Sequence, residues 1–192
     1  MNVTAACDRI LQRLRQDLHP GYTYHNYEHT VHVMDAVSFL CMQENVTNTD
    51  KDILLTAAAY HDAGFLISHK DHELHSCSIV KQVLPGFGYS QDEISAISQL
   101  ILATSHGYIP ANIHEMIIRD ADVDYLGTDH YETLSNALRK EFIYTGMISS
   151  DDEAWLQLQI TYLTKHRYYT ATSIRLREPN KQKTLNLLLN SN

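Results

Sequence analysis

The spacing of apolar residues is the feature of this sequence that most restricts its fold. Over most of the 192 residues, apolar side chains recur every three or four positions, and few stretches alternate as a β-strand does. Residues 3–18 are typical, with Val3, Ile10, Leu14 and Leu18 on one face of a predicted helix. We therefore predict an all-α fold whose helices bury these faces against one another.

Local signals indicate where the helices begin and end. Asp50 is the expected N-cap of a third helix, and Gly64 is expected to end it in a left-handed conformation. The tetrapeptides at 90–93 and 150–153 have the serine-to-glutamate spacing of capping boxes, which predicts a fifth and an eighth helix. Thr128 is the expected cap of a seventh helix.

Length, composition and charge restrict the class of protein. A chain of 192 residues, 44% of them hydrophobic, is long enough for one well-buried core and short for two, so we expect a single domain over 1–192. Its formal net charge of -8, without any cluster of Lys and Arg, argues against a nucleic acid polymer as partner. A small substrate is the expected partner.

The cysteines and the N-terminal segment bear on the expected compartment. Cys7, Cys41 and Cys77 are odd in number and contain no C-x-x-C pair, which indicates neither a disulfide framework nor a thiolate zinc site. Charges interrupt the apolar residues near the N-terminus, and no apolar run has the length of a membrane span. We expect a cytoplasmic protein that does not enter a membrane.

Histidines and aspartates at predicted helix ends form the candidate metal site. His29 begins one helix, His61 and Asp62 close the next, and Asp120 and Asp122 lie in a later one. Imidazoles together with carboxylates suit first-row divalent metals better than calcium. Because the chain has 12 histidines and 23 acidic residues, one His-Asp pair carries little weight, and the prediction depends on the order of the whole set.

That order resembles the HD-domain metal-dependent phosphohydrolases. The closer similarity is to a branch of predicted small HD phosphohydrolases, through "YHNYEH" at 24–29, the His61-Asp62 pair, "ILATSH" at 101–106 and "DADVDYLG" at 120–127. The chain departs from that branch at His72, where Asn is usual, and at Cys77, where Ala is usual. The resemblance implies a helical core at about 22–127 and a helical C-terminal extension at 128–192.

Carried over by position, the family's metal ligands fall on His29, His61, Asp62 and Asp122. The implied cofactor is a divalent metal ion. The sequence does not identify which of Mn, Mg, Co, Ni, Zn and Fe it is. Asp120 is the rival of Asp122 for the last position. Residues two apart on a helix point about 200° apart, so both carboxylates can hardly face one ion, and we favour Asp122.

The implied reaction is hydrolysis of a phosphoester or phosphoanhydride of a small, nucleotide-like molecule by metal-activated water. Asp62 is expected to orient that water as well as bind the ion. His25 is similar in position to the histidine that protonates the leaving oxygen in the cyclic nucleotide phosphodiesterases. Lys70, Arg119 and Arg139 are the candidates for binding the substrate phosphate.

Two other functions remain open at this point. Some HD proteins with the same ligand order hold two irons and activate oxygen, and His72 or His75 together with His106 could supply the further ligands. The other alternative is a metal-containing module that senses a ligand without turnover.

Overall fold

The computed structural model describes residues 1–190, and over that part of the chain it is all-α, as predicted, without a β-strand. The α-helices are α1 (Val3–Asp17), α2 (Tyr27–Gln43), α3 (Asn48–Tyr60), α4 (His72–Val83), α5 (Gln91–Ala103), α6 (Ile113–Asp122), α7 (Tyr131–Tyr144), α8 (Asp152–Lys165), α9 (Ala171–Leu176) and α10 (Glu178–Leu189). Short 3-10 helices lie at Ala63–Leu66, Leu84–Phe87 and Asp124–Gly127.

The expected helix caps are only partly right. Ser90 forms the predicted capping box at the start of α5. Thr47, and not Asp50, caps α3, and its hydroxyl donates to the Asp50 carboxylate. Asp151 caps α8 in place of the expected box. Thr128 lies before α7, where its hydroxyl donates to a carbonyl of the preceding 3-10 helix. At α3 and α8, a second polar residue close by took the role. At α7, His130 stands at the N-cap without a side-chain capping hydrogen bond.

Gly64 is needed for a reason other than the one expected. Helix α3 ends at Tyr60, and Gly64 lies inside the following 3-10 helix without a left-handed backbone. A Cβ atom on Gly64 would lie 1.9 Å from the His72 carbonyl oxygen, so only glycine allows α4 to approach this closely. The Ser76 hydroxyl accepts from the Gly64 N–H at 2.8 Å and donates to the His61 carbonyl at 2.7 Å. Helix α4 is thus fixed against the turn that carries His61.

Two hydrophobic clusters form the interior of the described chain. The larger is built by α1 to α6, and the smaller by α7, α8, α10 and the 3-10 helix at Asp124–Gly127. Helix α1 belongs to the larger cluster through Ala6, Ile10 and Leu14. The division into a core at 22–127 and an extension stays a prediction.

The three cysteines are buried and unpaired. Within residues 1–190, every helix falls short of the combination of length and hydropathy that crossing a membrane requires.

The close contact at Gly64 predicts a large effect of a small substitution. Gly64→Ala should lower the free energy of unfolding by about 1–3 kcal/mol or more, because the added methyl group would meet backbone that cannot rotate away. Thermal and denaturant unfolding would measure this. Gly86→Ala is the control, since a Cβ at Gly86 has no atom within 4 Å. Equal stability of the two variants would show that α4 can move away at little cost.

Candidate metal centre and catalytic site

Four largely buried side chains, carried near the ends of α2, α3 and α6, come together in the structure. His29, His61 and Asp122 each bring one ligand atom within 4.8 Å of the others. The Nε2 atom of His29 lies 3.3 Å from Nε2 of His61 and 3.2 Å from Oδ1 of Asp122. Asp62 completes the group, with Oδ2 at 3.1 Å from Nε2 of His61 and 3.4 Å from Nε2 of His29. These are the four side chains that the sequence analysis named as ligands. Their role as ligands stays a prediction.

Helix ends determine where these side chains point. The side chain of Asn26 caps α2 by accepting from the His29 N–H at 3.0 Å, which places His29 in the first turn. His61 follows the last residue of α3, and Asp62 precedes the 3-10 helix. Asp122 is the last residue of α6. Because the regular helix begins or ends at such positions, side chains from separate helices can converge on one point.

The ring of His61 is held in a form suited to binding a metal. Its Nδ1 lies 2.8 Å from the Ala58 carbonyl oxygen, which can only accept, so Nδ1 carries the hydrogen. Nε2 then presents its lone pair to the group. A hydrogen bond from the other ring nitrogen to a carbonyl is the usual way in which proteins orient a metal-binding histidine.

One oxygen of Asp62 has ring nitrogens near it but no assigned hydrogen bond, with Nε2 of His61 at 3.1 Å. Its Oδ2 atom is buried and accepts no hydrogen bond from the described residues. An uncompensated buried carboxylate oxygen costs free energy, and a bound cation would satisfy it. The donor set and this oxygen therefore fit a divalent ion.

The electrostatics of the group also favour positive charge within it. Burial raises the pKa of Asp62, but the neighbouring His61, His25 and His29 more than offset this and hold the pKa below its usual range. Burial lowers the pKa of His61, whereas Asp62 and Asp122 together raise it well above its ordinary value. A cation at the Nε2 atoms would take the place of the proton that these carboxylates attract.

Asp120 and Asp122 point in opposite directions, as their spacing on α6 requires. Asp120 is buried and its carboxylate accepts from the N–H of Tyr169, the N–H of Thr170 and the Thr170 hydroxyl, at 2.7 to 3.2 Å. Thr170 in turn caps α9. The carboxylate of Asp120 is therefore occupied in holding the C-terminal segment, and it lies outside the group of ligand atoms.

His25 lies beside this group and is held by a residue that sequence reasoning missed. Its Nδ1 pairs with Oε1 of Glu141 on α7, and Oε2 of Glu141 accepts the N–H groups of Tyr24 and His25 at 2.9 and 3.0 Å. The His25 ring stacks on Phe65, with 4.5 Å between ring centroids. With Nδ1 used, Nε2 is the ring nitrogen available for proton transfer.

The charges around His25 influence its protonation. Burial lowers its pKa, but the charge of Asp62 and the hydrogen bond to Glu141 outweigh burial, and the net effect is a raised pKa. Glu141 is 2% exposed, which is unusual for a glutamate. A glutamate on the buried face of a predicted helix is the signal that could have indicated it. Its partner is 116 positions away in the chain.

A cavity of about 450 Å³ is lined both by members of the ligand group and by His25. His25, Asp62 and Asp122 line one part of it, and side chains of α7 and α8 line another. This volume is in the usual range for a small-molecule site. A ligand in the cavity would contact the metal-ligand group and His25 together.

Of the three cations predicted to bind phosphate, the structure brings one to the cavity. Arg119 lines it, and its Nη1 donates to the Ala103 and Ser105 carbonyls at 2.5 and 2.9 Å. Lys70 is exposed and Arg139 pairs with Asp152 at 2.5 Å, and neither is part of the lining. Both were chosen from sequence proximity, which does not determine where a helix-surface side chain points.

The further histidines differ in position. His72 approaches Asp62, with Nε2 at 3.5 Å from Oδ1, and it lines the cavity together with His69 and His106. His75 is not part of the lining.

Comparison with known proteins gives one relative and one family. A protein of Clostridium beijerinckii described as an "Uncharacterized protein" is 31% identical over 81 residues, covering 41% of this chain and 51% of the relative. The chain thus spans about half the length of that relative. No solved structure matches this chain significantly.

The matching family model corrects the expected family. It is that of the Ppx/GppA phosphatase, domain III, over residues 26–122, a superfamily distinct from the HD domains. The resemblance to HD phosphohydrolases is therefore wrong, and the oxygenase alternative loses its support with it. The matched family is described as one of phosphatases, which agrees at the coarse level with the expected phosphohydrolase chemistry. Since the match covers just over half of its residues, the chain belongs to the Ppx/GppA phosphatase domain III family.

Proposed function

We propose that this chain is a metal-dependent phosphohydrolase in which His29, His61, Asp62 and Asp122 hold a divalent cation. The observation that carries the proposal is the buried convergence of two imidazole Nε2 atoms on two carboxylates, one of which has an oxygen without a hydrogen-bond partner. Membership of a phosphatase family supports the class of reaction. A divalent ion bound there lowers the pKa of water and offsets charge on a phosphoryl oxygen.

The chain's own residues supply the proton transfer. Glu141 fixes the His25 ring through Nδ1, so that Nε2 is the atom that donates a proton to the leaving oxygen. Phe65 holds the ring plane by stacking. Arg119 lies in the same cavity and offsets part of the negative charge of the substrate.

The description "domain III" favours a second candidate, a ligand-binding domain that acts with other parts of a larger phosphatase. Both candidates bind a divalent ion, and only the first releases phosphate by itself. Metal analysis of protein purified without chelator, followed by phosphate release from a panel of esters and anhydrides with Mn²⁺, Mg²⁺ and Co²⁺, separates them. Bound metal without turnover on any substrate would favour the ligand-binding domain.

The divergence of Asp120 and Asp122 predicts opposite defects. Asp122→Ala should weaken Mn²⁺ binding at least about tenfold, since even residues behind the ligands contribute 10- to 100-fold. Asp120→Ala should bind Mn²⁺ but lose about 1–3 kcal/mol of stability, because buried donors are left unpaired. Calorimetric titration and thermal unfolding measure the two effects.

Asp120→Asn serves as a second variant if Asp120→Ala folds poorly, since it keeps the shape of the side chain. Loss of Mn²⁺ in folded Asp120→Asn, with normal binding by Asp122→Ala, would exchange the roles of the two aspartates.

The His25 pair predicts a rate defect separate from metal binding. His25→Ala should retain Mn²⁺ and lose roughly 10²- to 10⁴-fold in kcat, the usual contribution of a general acid. The loss should shrink on a p-nitrophenyl ester, whose leaving group needs little protonation. Glu141→Gln should show the same pattern to a smaller degree, whereas His29→Ala should lose metal and rate together.

Glu132→Gln is the matched control for Glu141→Gln, because Glu132 is an exposed glutamate on the same helix. Rates would be measured on esters of differing leaving-group pKa, with metal content determined for each variant. A His25→Ala defect of equal size on every ester would rule out proton donation by His25.

A further inference from the structure

We propose that the substrate is a phosphomonoester with an apolar, ring-containing organic group, and that neither polyphosphate nor another extended phosphate chain is the preferred substrate. The inference rests on the proposed function and specifies its substrate class. It depends on how charge and apolar surface are distributed around the cavity.

The cavity offers a polyanion a single permanently charged cation, beside the titratable side chains of His25, His69, His72, His106 and His166. Among the residues that the structure describes, Arg119 is the one Lys or Arg in the lining, whereas four carboxylates contribute to it: Asp62, Glu73, Asp122 and Glu141. Arg119 also donates to two backbone carbonyls and lies 5.8 Å from the Tyr169 ring centroid. A chain of phosphates carries charge along its whole length, and clustered Lys and Arg side chains are the usual means of neutralising charge beyond the reach of one ion. This lining suits a single phosphoryl group beside the metal ligands.

The part of the lining supplied by α7 and α8 is apolar and aromatic. Leu138, Phe142, Trp155 and Leu158 contribute to it. Trp155 is buried and packs edge-on to Phe142, with 6.3 Å between ring centroids. Burying apolar or aromatic ligand surface against such a wall stabilises the complex, whereas placing phosphate there does not.

Two hydroxyl groups at this wall have hydrogen-bond partners within the protein. The Tyr131 hydroxyl and the Ser135 hydroxyl both donate to Oε1 of Gln159, at 3.0 and 2.7 Å. They therefore add neutral surface rather than charge. A cavity of about 450 Å³ can take a phosphoryl group together with a body of roughly one or two rings.

The first test compares turnover of two substrates. With Mn²⁺ present, kcat/KM for 2-naphthyl phosphate should exceed that for tripolyphosphate at least tenfold. A value for tripolyphosphate equal to or above that for the ester would overturn the inference and leave the proposed hydrolase intact. Turnover of neither compound would count against the hydrolase, and binding would then decide the substrate class.

The binding test uses Trp155, the single tryptophan of the chain, as a fluorescent reporter. Benzylphosphonate, whose carbon–phosphorus bond resists hydrolysis, should quench or shift this emission with a Kd at least tenfold below those of methylphosphonate and tripolyphosphate. Binding of benzylphosphonate no tighter than that of methylphosphonate would contradict an apolar subsite, whether or not the protein turns over.

A matched pair of substitutions tests the apolar wall. Leu158→Lys should raise KM for 2-naphthyl phosphate several-fold with kcat unchanged, because binding to the organic group is lost equally in the ground and transition states. Leu158 is 38% exposed, and Leu158→Ala should act in the same direction if the lysine variant folds poorly. Leu176→Lys is the control, since Leu176 is 37% exposed, helical and outside the cavity. Equal KM values for Leu158→Lys and Leu176→Lys would overturn the inference.

Discussion

The buried approach of two histidine nitrogens is the constraint on which this site depends. Nε2 of His29 and Nε2 of His61 lie 3.3 Å apart, and the Nδ1 of His61 already carries its hydrogen. The two carboxylates beside these nitrogens repel one another unless positive charge lies among them. The protein has to hold the group by other means, and it does so at the ends of α2, α3 and α6. The Asn26 cap fixes the start of α2, and the Ser76 hydrogen bonds and the close approach at Gly64 both fix the turn after α3. The hydrogen bonds of Asp120 to Tyr169 and Thr170 fix the end of α6.

The sequence predicted the helical architecture, which the structure confirms, and the residues of the candidate site, whose role stays a prediction. Apolar periodicity reports directly on which face of a helix is buried, so the all-α fold followed from it. The i, i+2 spacing of Asp120 and Asp122 required the two side chains to diverge, as they do. Helix caps were less certain, because Thr47 and Asp50, or Ser150 and Asp151, offer the same chemistry a few residues apart. Tertiary packing then selects the one that caps the helix.

What the sequence could not indicate was mostly long-range. Glu141 contacts His25 across 116 positions, and no local pattern connects the two residues. Lys70 and Arg139 were chosen as neighbours of the motifs in sequence, yet Arg139 joins α7 to the segment before α8. The predicted family was wrong because it depended on short motifs of His and Asp residues. Such motifs indicate the chemistry of the ligands and not the ancestry of the fold. Unrelated superfamilies can share them, whereas the match over residues 26–122 draws on the whole segment.

The aspartates of "DADVD" connect the candidate site to the C-terminal helices. Asp120 holds the segment at Tyr169 and Thr170, Asp122 faces the two histidines, and Asp124 pairs with Arg177 at 2.7 Å. Three side chains within five residues thus serve the α9 cap, the ligand group and the start of α10. Helices α7 and α8, which line the cavity, pack in the same smaller hydrophobic cluster as α10. A shift of the end of α6 would therefore move Asp122 and the apolar wall together. Under the proposed function, this would couple the geometry of a bound ion to the shape of the substrate site.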